Sequence, residues 1–137
     1  MGYHADEIYQ IFQKYCKRIK YVDLKNILKF IFGIFTKQKI IMDGFNSGTV
    51  LEKSMEEIAS QKNIVSIKDI SMPLFIPSVD LHTGAIYVFS SVPVEKRYSN
   101  EYIFVDNIEI SKAVRASASY PGVFSPCKYR AAELIDG

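Results

Sequence analysis

Pro73-Leu74-Phe75-Ile76-Pro77-Ser78-Val79-Asp80-Leu81-His82-Thr83-Gly84-Ala85-Ile86-Tyr87-Val88-Phe89-Ser90-Ser91-Val92 is the stretch where the chain's apolar pattern stops being helical. Two β-rich apolar runs, 73–79 and 85–92, flank the polar segment 80–84. Such an order reads as strand, turn and strand. Phe75 and Ile76, then Tyr87, Val88 and Phe89, put apolar groups on both faces, so both strands are expected inside a sheet. Pro77 removes a ladder donor from the first strand, which implies a bulge or a local edge.

Downstream, Tyr102 to Val105 is a short strand, and Asp106 or Asn107 is placed to cap a helix reaching about Ser117, with Glu109 in its first turn. Tyr120-Pro121-Gly122 ends that helix, and Leu134-Ile135 forms a last strand. Upstream, Ile8, Ile11, Phe12, Tyr15 and Ile19 recur at helical spacing over residues 5–19, with His4 at the N-cap. Residues 23–35 repeat the pattern with a broader apolar surface. Residues 44–48 form a turn, and Thr49 to Glu52 fits a capping box that opens a helix to about Lys62. Helices, then strands, then a helix and a strand predict an α/β layered domain.

Composition bounds the function. The chain has 137 residues, 48% hydrophobic and 23% charged, so it has the apolar surface a folded domain needs. A net charge of +2 without a basic run argues against nucleic acid as a partner. Two cysteines, Cys16 and Cys127, read as free thiols of a reducing, cytoplasmic compartment. The start of the chain shows neither a signal peptide nor a myristoylation pattern, and no run is long enough to cross a bilayer. Peripheral membrane contact stays open through residues 23–39. Phe30, Phe32 and Ile34 widen the apolar stripe there, and Lys25, Lys29, Lys37 and Lys39 edge it. That segment is either a helix buried in the domain or a lipid-facing one.

No serine elbow of the G-x-S-x-G type is present. Gly44 and Gly48 are the one pair of glycines four apart, and Asn46 stands between them. There is no glycine-rich phosphate loop. His4 and His82 lack the neighbours that would make them metal ligands and read as structural or solvated, so neither a metal nor a cofactor is expected. Two stretches remain. Residues 111–126 join a helix rich in Ala and Ser to a Pro-Gly turn, which reads at least as close helix packing followed by a loop. Leu134-Ile135-Asp136-Gly137 puts a carboxylate at the end of a strand. An Asp-Gly pair is a turn on its own, yet strand tips are also where α/β folds present catalytic groups.

Taken together with two further segments, these stretches resemble the patatin-like phospholipase family. Gly2 to Ile8 is similar to the family's segment after its serine-bearing helix, and Ser78 to Gly84 resembles its TDL-x-TG strand and turn. Val114 to Pro126 resembles its RASxxxPGVFPP stretch, and Asp136-Gly137 falls where the family carries DGG or DGA. The resemblance runs through the whole chain. It implies a three-layer α/β/α domain with a central mixed sheet and hydrolysis of lipid acyl esters by a Ser–Asp dyad. Asp136, with Gly137 behind it, is then the proton acceptor. It also implies that the serine and the oxyanion loop lie N-terminal to these residues. Residues 1–137 are therefore expected to form one partial domain whose other half is missing, inactive alone. This sequence departs from the family at His4, at Val79 in place of Thr, and after Gly137.

A dyad is chemically coherent. A serine hydroxyl needs a base nearby as it attacks an ester carbonyl. A carboxylate among apolar walls becomes a better base, because desolvation disfavours its charge. Leu134, Ile135 and Phe124 are the expected walls. The alternative of another class is a non-catalytic lipid-surface or protein-interaction module that works through 23–39.

Overall fold

The computed structural model describes residues 3–18, 46–94 and 102–137. The proposed helix 23–35 and the apolar and basic segment 23–39 fall outside these.

Helix α1 (Ala5–Cys16) starts where Glu7 Oε2 accepts the His4 amide proton at 2.8 Å. Asp6 and Glu7 in its first turn complement the helix dipole. Helix α2 (Thr49–Ser60) begins one residue earlier than the capping box predicts, with Gly48 as its N-cap. Asn46 Oδ1 accepts the Gly48 N–H at 2.9 Å, and Gly48 then takes φ 68°, so the turn has closed before Thr49. Asn63 (φ 55°) reverses the chain after α2, and the Ile64 amide reaches back to the Ala59 carbonyl at 3.0 Å.

Strands β1 (Phe75–Asp80) and β2 (Ile86–Ser90) form the expected hairpin around residues 81–85. Strand β3 (Tyr102–Val105) runs parallel to β2. Helix α3 (Ile110–Ser117) follows, then β4 (Cys127–Tyr129) and β5 (Ala132–Asp136). Glu109 is the N-cap of α3, three residues past Asp106. The reason is tertiary. Ile67 donates to Ile108 at 3.0 Å and Ile110 donates to Val65 at 2.9 Å, so residues 108–110 are held against another segment before the helix can start.

The sheet order is β3-β2-β1-β5-β4, a mixed five-stranded sheet in which β1 and β2 are both interior, as their apolar faces predict. The Asp80 amide donates to Ala85, so alternation turns the Pro77 nitrogen toward β5. The β1–β5 ladder begins only at the Ser78–Asp136 pair, so the missing donor falls one residue outside it. Pro77 sits at a local edge.

Side chains of paired residues share a face. Ser78, Asp80, Phe89, Cys127, Tyr129, Ala132 and Leu134 point to one side, where Ile110, Ala113 and Ala116 of α3 complete the core. The small residues of α3 let it lie close to β1 and β5. Helix α2 packs on α3, and α1 touches α2 through Tyr15 Oη to Glu57 Oε2 (3.1 Å), while Tyr3, just before α1, donates from its Oη to Ile58 O (2.7 Å). Of the expected α1 stripe, Tyr15 is buried, whereas Ile8 and Phe12 are 55% and 66% exposed.

Candidate active site

Asp136 ends β5, at the tip of the strand where the sequence puts it. It pairs with Ser78 in the middle of β1. The peptide unit that precedes it is held at both polar atoms. Ser78 Oγ donates to the Ile135 carbonyl at 2.6 Å, and the Asp136 amide donates to the Ser119 carbonyl at 3.1 Å. Both serines are fully buried. Gly137 lies so close to β1 that an added Cβ would stand 2.8 Å from the Ser78 nitrogen and Cα. No side chain fits there without moving the backbone of β1 or the tip itself, which gives the Asp-Gly pair a physical reason.

The carboxylate of Asp136 is exposed. The apolar walls expected around it are not gathered by the described residues. Leu134 is wholly inside the core, and Ile135 projects from the other face of β5. Phe124 instead covers the Arg115 guanidinium, 5.5 Å from its ring centre.

Arg115 organises the neighbourhood of the tip, and sequence reasoning missed it. It is 2% exposed, in the last turn of α3. Its Nη1 donates to Ser119 Oγ, and its Nη2 donates to the carbonyls of Ser47 (2.7 Å) and Ser125 (2.6 Å). One side chain thus ties α3 to the loop before α2 and to the loop before β4. Burial pulls its pKa below the usual arginine value, with Cys127 and Glu52 pulling the other way. Gly48 leaves the room it needs, since a Cβ there would overlap the guanidinium. An arginine in a helix of Ala and Ser was the available signal, because the surrounding small residues leave a long cation space to fold inward.

The turn after β1 is built on Asp80, also buried. Thr83 Oγ1 donates to its Oδ2 at 2.5 Å, and the Glu133 amide donates to its Oδ1 at 3.2 Å. The Thr83 hydrogen bond, helped by those of the Glu133, His82 and Thr83 amides and opposed by burial, holds its carboxyl below the ordinary range. His82 is exposed and meets Glu133 Oε2 at 3.0 Å, while His4 caps α1. Cys127 is a buried free thiol, its pKa pushed up by that burial.

The patatin-like phospholipase family profile matches residues 7–137. A relative from Arabidopsis thaliana, named "Probable inactive patatin-like protein 9", is 28% identical over 96 residues. That match covers 69% of this chain and 22% of the relative, so the chain spans under a quarter of the curated protein it matches. No solved structure matches the chain. With an α/β sheet and a profile that runs from the first helix to the last residue, the chain belongs to the patatin-like phospholipase family.

Proposed function

We propose that residues 1–137 supply the base of a Ser–Asp dyad, Asp136, to a lipid acyl hydrolase whose serine is carried on another segment of the domain. The observation that supports this is the tip itself. A carboxylate stands at the end of an interior strand, with its preceding peptide clamped and the next residue pressed onto β1. In the reaction, Asp136 takes the Oγ proton as the serine attacks the acyl carbonyl, and then returns it to the departing alcohol. Water later releases the acyl group from the serine. A segment lying over the exposed carboxylate would desolvate it and strengthen it as a base. The sequence has the base and lacks an elbow for the nucleophile. A fluorophosphonate probe is therefore expected to leave the 137-residue chain unlabelled and to label a polypeptide that joins it to a serine elbow. Labelling of the 137-residue chain contradicts the reading.

A second reading has its own support. The relative is named as inactive, and α1 exposes Ile8, Tyr9 and Phe12 on a helix that also carries Lys14. In this reading the domain keeps its fold and serves as a non-catalytic lipid-surface or protein-interaction module that works through 23–39, with the exposed residues of α1 as a further contact. Co-sedimentation with anionic liposomes that weakens with salt, and on Phe12→Ser or Phe30→Ser, supports it. Absence of binding retires its lipid-surface form.

A further inference from the structure

We propose that Ser78 and Ser119 are positioning residues for the Asp136 carboxylate, and that Arg115 acts through Ser119. The proposal rests on the reading of Asp136 as the dyad base.

The argument begins with one peptide unit. The Ile135 carbonyl and the Asp136 amide belong to the same plane, and they are bound in opposite directions by two different elements. Ser78 Oγ, from β1, takes the carbonyl at 2.6 Å. The Ser119 carbonyl, from the loop after α3, takes the amide at 3.1 Å. Fixing both ends of a planar group fixes its orientation, and with it the position of the Asp136 Cα; rotation about the N–Cα bond is then limited from the other side of that Cα. On the far side of that Cα, Gly137 is seated against the Ser78 backbone. Asp136 is thus located from both flanks, although no hydrogen bond among those described reaches its carboxylate.

The two serines are unusual in how they are used. Both are fully buried, and a buried hydroxyl without a partner is costly. Ser78 satisfies that demand on the strand tip 57 residues away. Ser119 Oγ donates to the Arg115 carbonyl at 2.8 Å while accepting from Arg115 Nη1, so its own carbonyl is held where the Asp136 amide meets it. The guanidinium is in turn anchored by the Ser47 and Ser125 carbonyls. A chain of contacts therefore runs from α3 to the tip, and it holds the backbone that carries the proposed base in a defined place.

The test uses the labelled 137-residue chain and backbone amide exchange followed by NMR. In Ser78→Ala and Ser119→Ala the Asp136 amide keeps its acceptor, the Ser119 carbonyl, but loses a hydrogen bond that holds donor or acceptor in place, so its exchange is expected to quicken about tenfold. Amides of β2 and α3 should keep their rates. Ser78→Thr, which retains the hydroxyl, should restore the parent rate at Asp136. A general loosening of the fold would move every amide and would not be rescued by Thr. Unchanged exchange at Asp136 in Ser78→Ala, or equal rates in the Ala and Thr variants, overturns the proposal. Should Ser119→Ala fail to fold, the Ser78 pair decides alone. None of these readouts needs hydrolysis. If Asp136→Ala leaves ester hydrolysis intact, the reading of Asp136 as base fails instead, and the two failures stay distinct.

Discussion

A guanidinium buried without an ion pair among the described residues depends on hydrogen bonds to stay there. Arg115 makes its bonds to two carbonyls and a hydroxyl, and hydrogen bonds to a charged group are worth about 1.5–3 kcal/mol each when one partner is removed. Arg115→Met should lower unfolding stability by about that amount or more in urea. Arg115→Lys should fare little better, because one ammonium cannot reach three acceptors arranged as a fork. Asp80 has the opposite sign of charge and a pH signature. Its folded pKa lies below the unfolded value, so the stability it contributes is present above the ordinary aspartate range, near 3.9. That contribution is lost as pH falls through the lower, folded value. Asp69, lowered by hydrogen bonds from the Val65 and Ser66 amides, titrates in the same direction. Asp80→Asn should therefore flatten the acid limb of a urea-midpoint profile without abolishing it. The place of Asp136 at a strand tip was legible in the sequence, because Leu134-Ile135 reads as a strand and the Asp-Gly pair follows it, whereas its role came only from the family resemblance. Arg115, Ser78 and Ser119 were not legible. Arginine is usually at the surface and serine is compatible with any environment, so neither residue type announces burial.

Elements were read correctly where a pattern is local, and missed where another segment decides. The β1–β2 hairpin, β3 and α1 follow from periodicity and turn chemistry. The start of α3 was misplaced because the hydrogen bonds between 65–67 and 108–110 are invisible in a single stretch of sequence. Strand β4 escaped because three residues, Cys127 to Tyr129, carry too little alternation, and its turn to β5 rests on Arg130 at φ 53° instead of a glycine. The short 3-10 turn Ile67–Asp69 was missed for the same want of length. Gly48 is the element-scale test. At φ 68° an alanine adopts a conformation costing roughly 1–2 kcal/mol, and its Cβ would also displace the guanidinium. Gly48→Ala should destabilise the chain by at least that much in urea unfolding. A stability equal to the parent's would mean that the Gly48–Arg115 contact is not formed.

At the scale of the molecule, the helices described here stack outward from one face of the sheet, α3 first, then α2, then α1. Phe75 and Tyr102 remain half-exposed on the opposite face of that sheet. Family membership follows from the profile over 7–137, and the mixed α/β sheet is consistent with it. The step from family to chemistry rests on Asp136. Ester hydrolysis by a polypeptide that joins these residues to a serine elbow, compared with its Asp136→Ala variant at matched folding, tests that step most directly. Loss of hydrolysis in the variant, with the circular dichroism and unfolding midpoint of the parent, is the predicted result. Hydrolysis retained by Asp136→Ala would contradict it and remove Asp136 as the base.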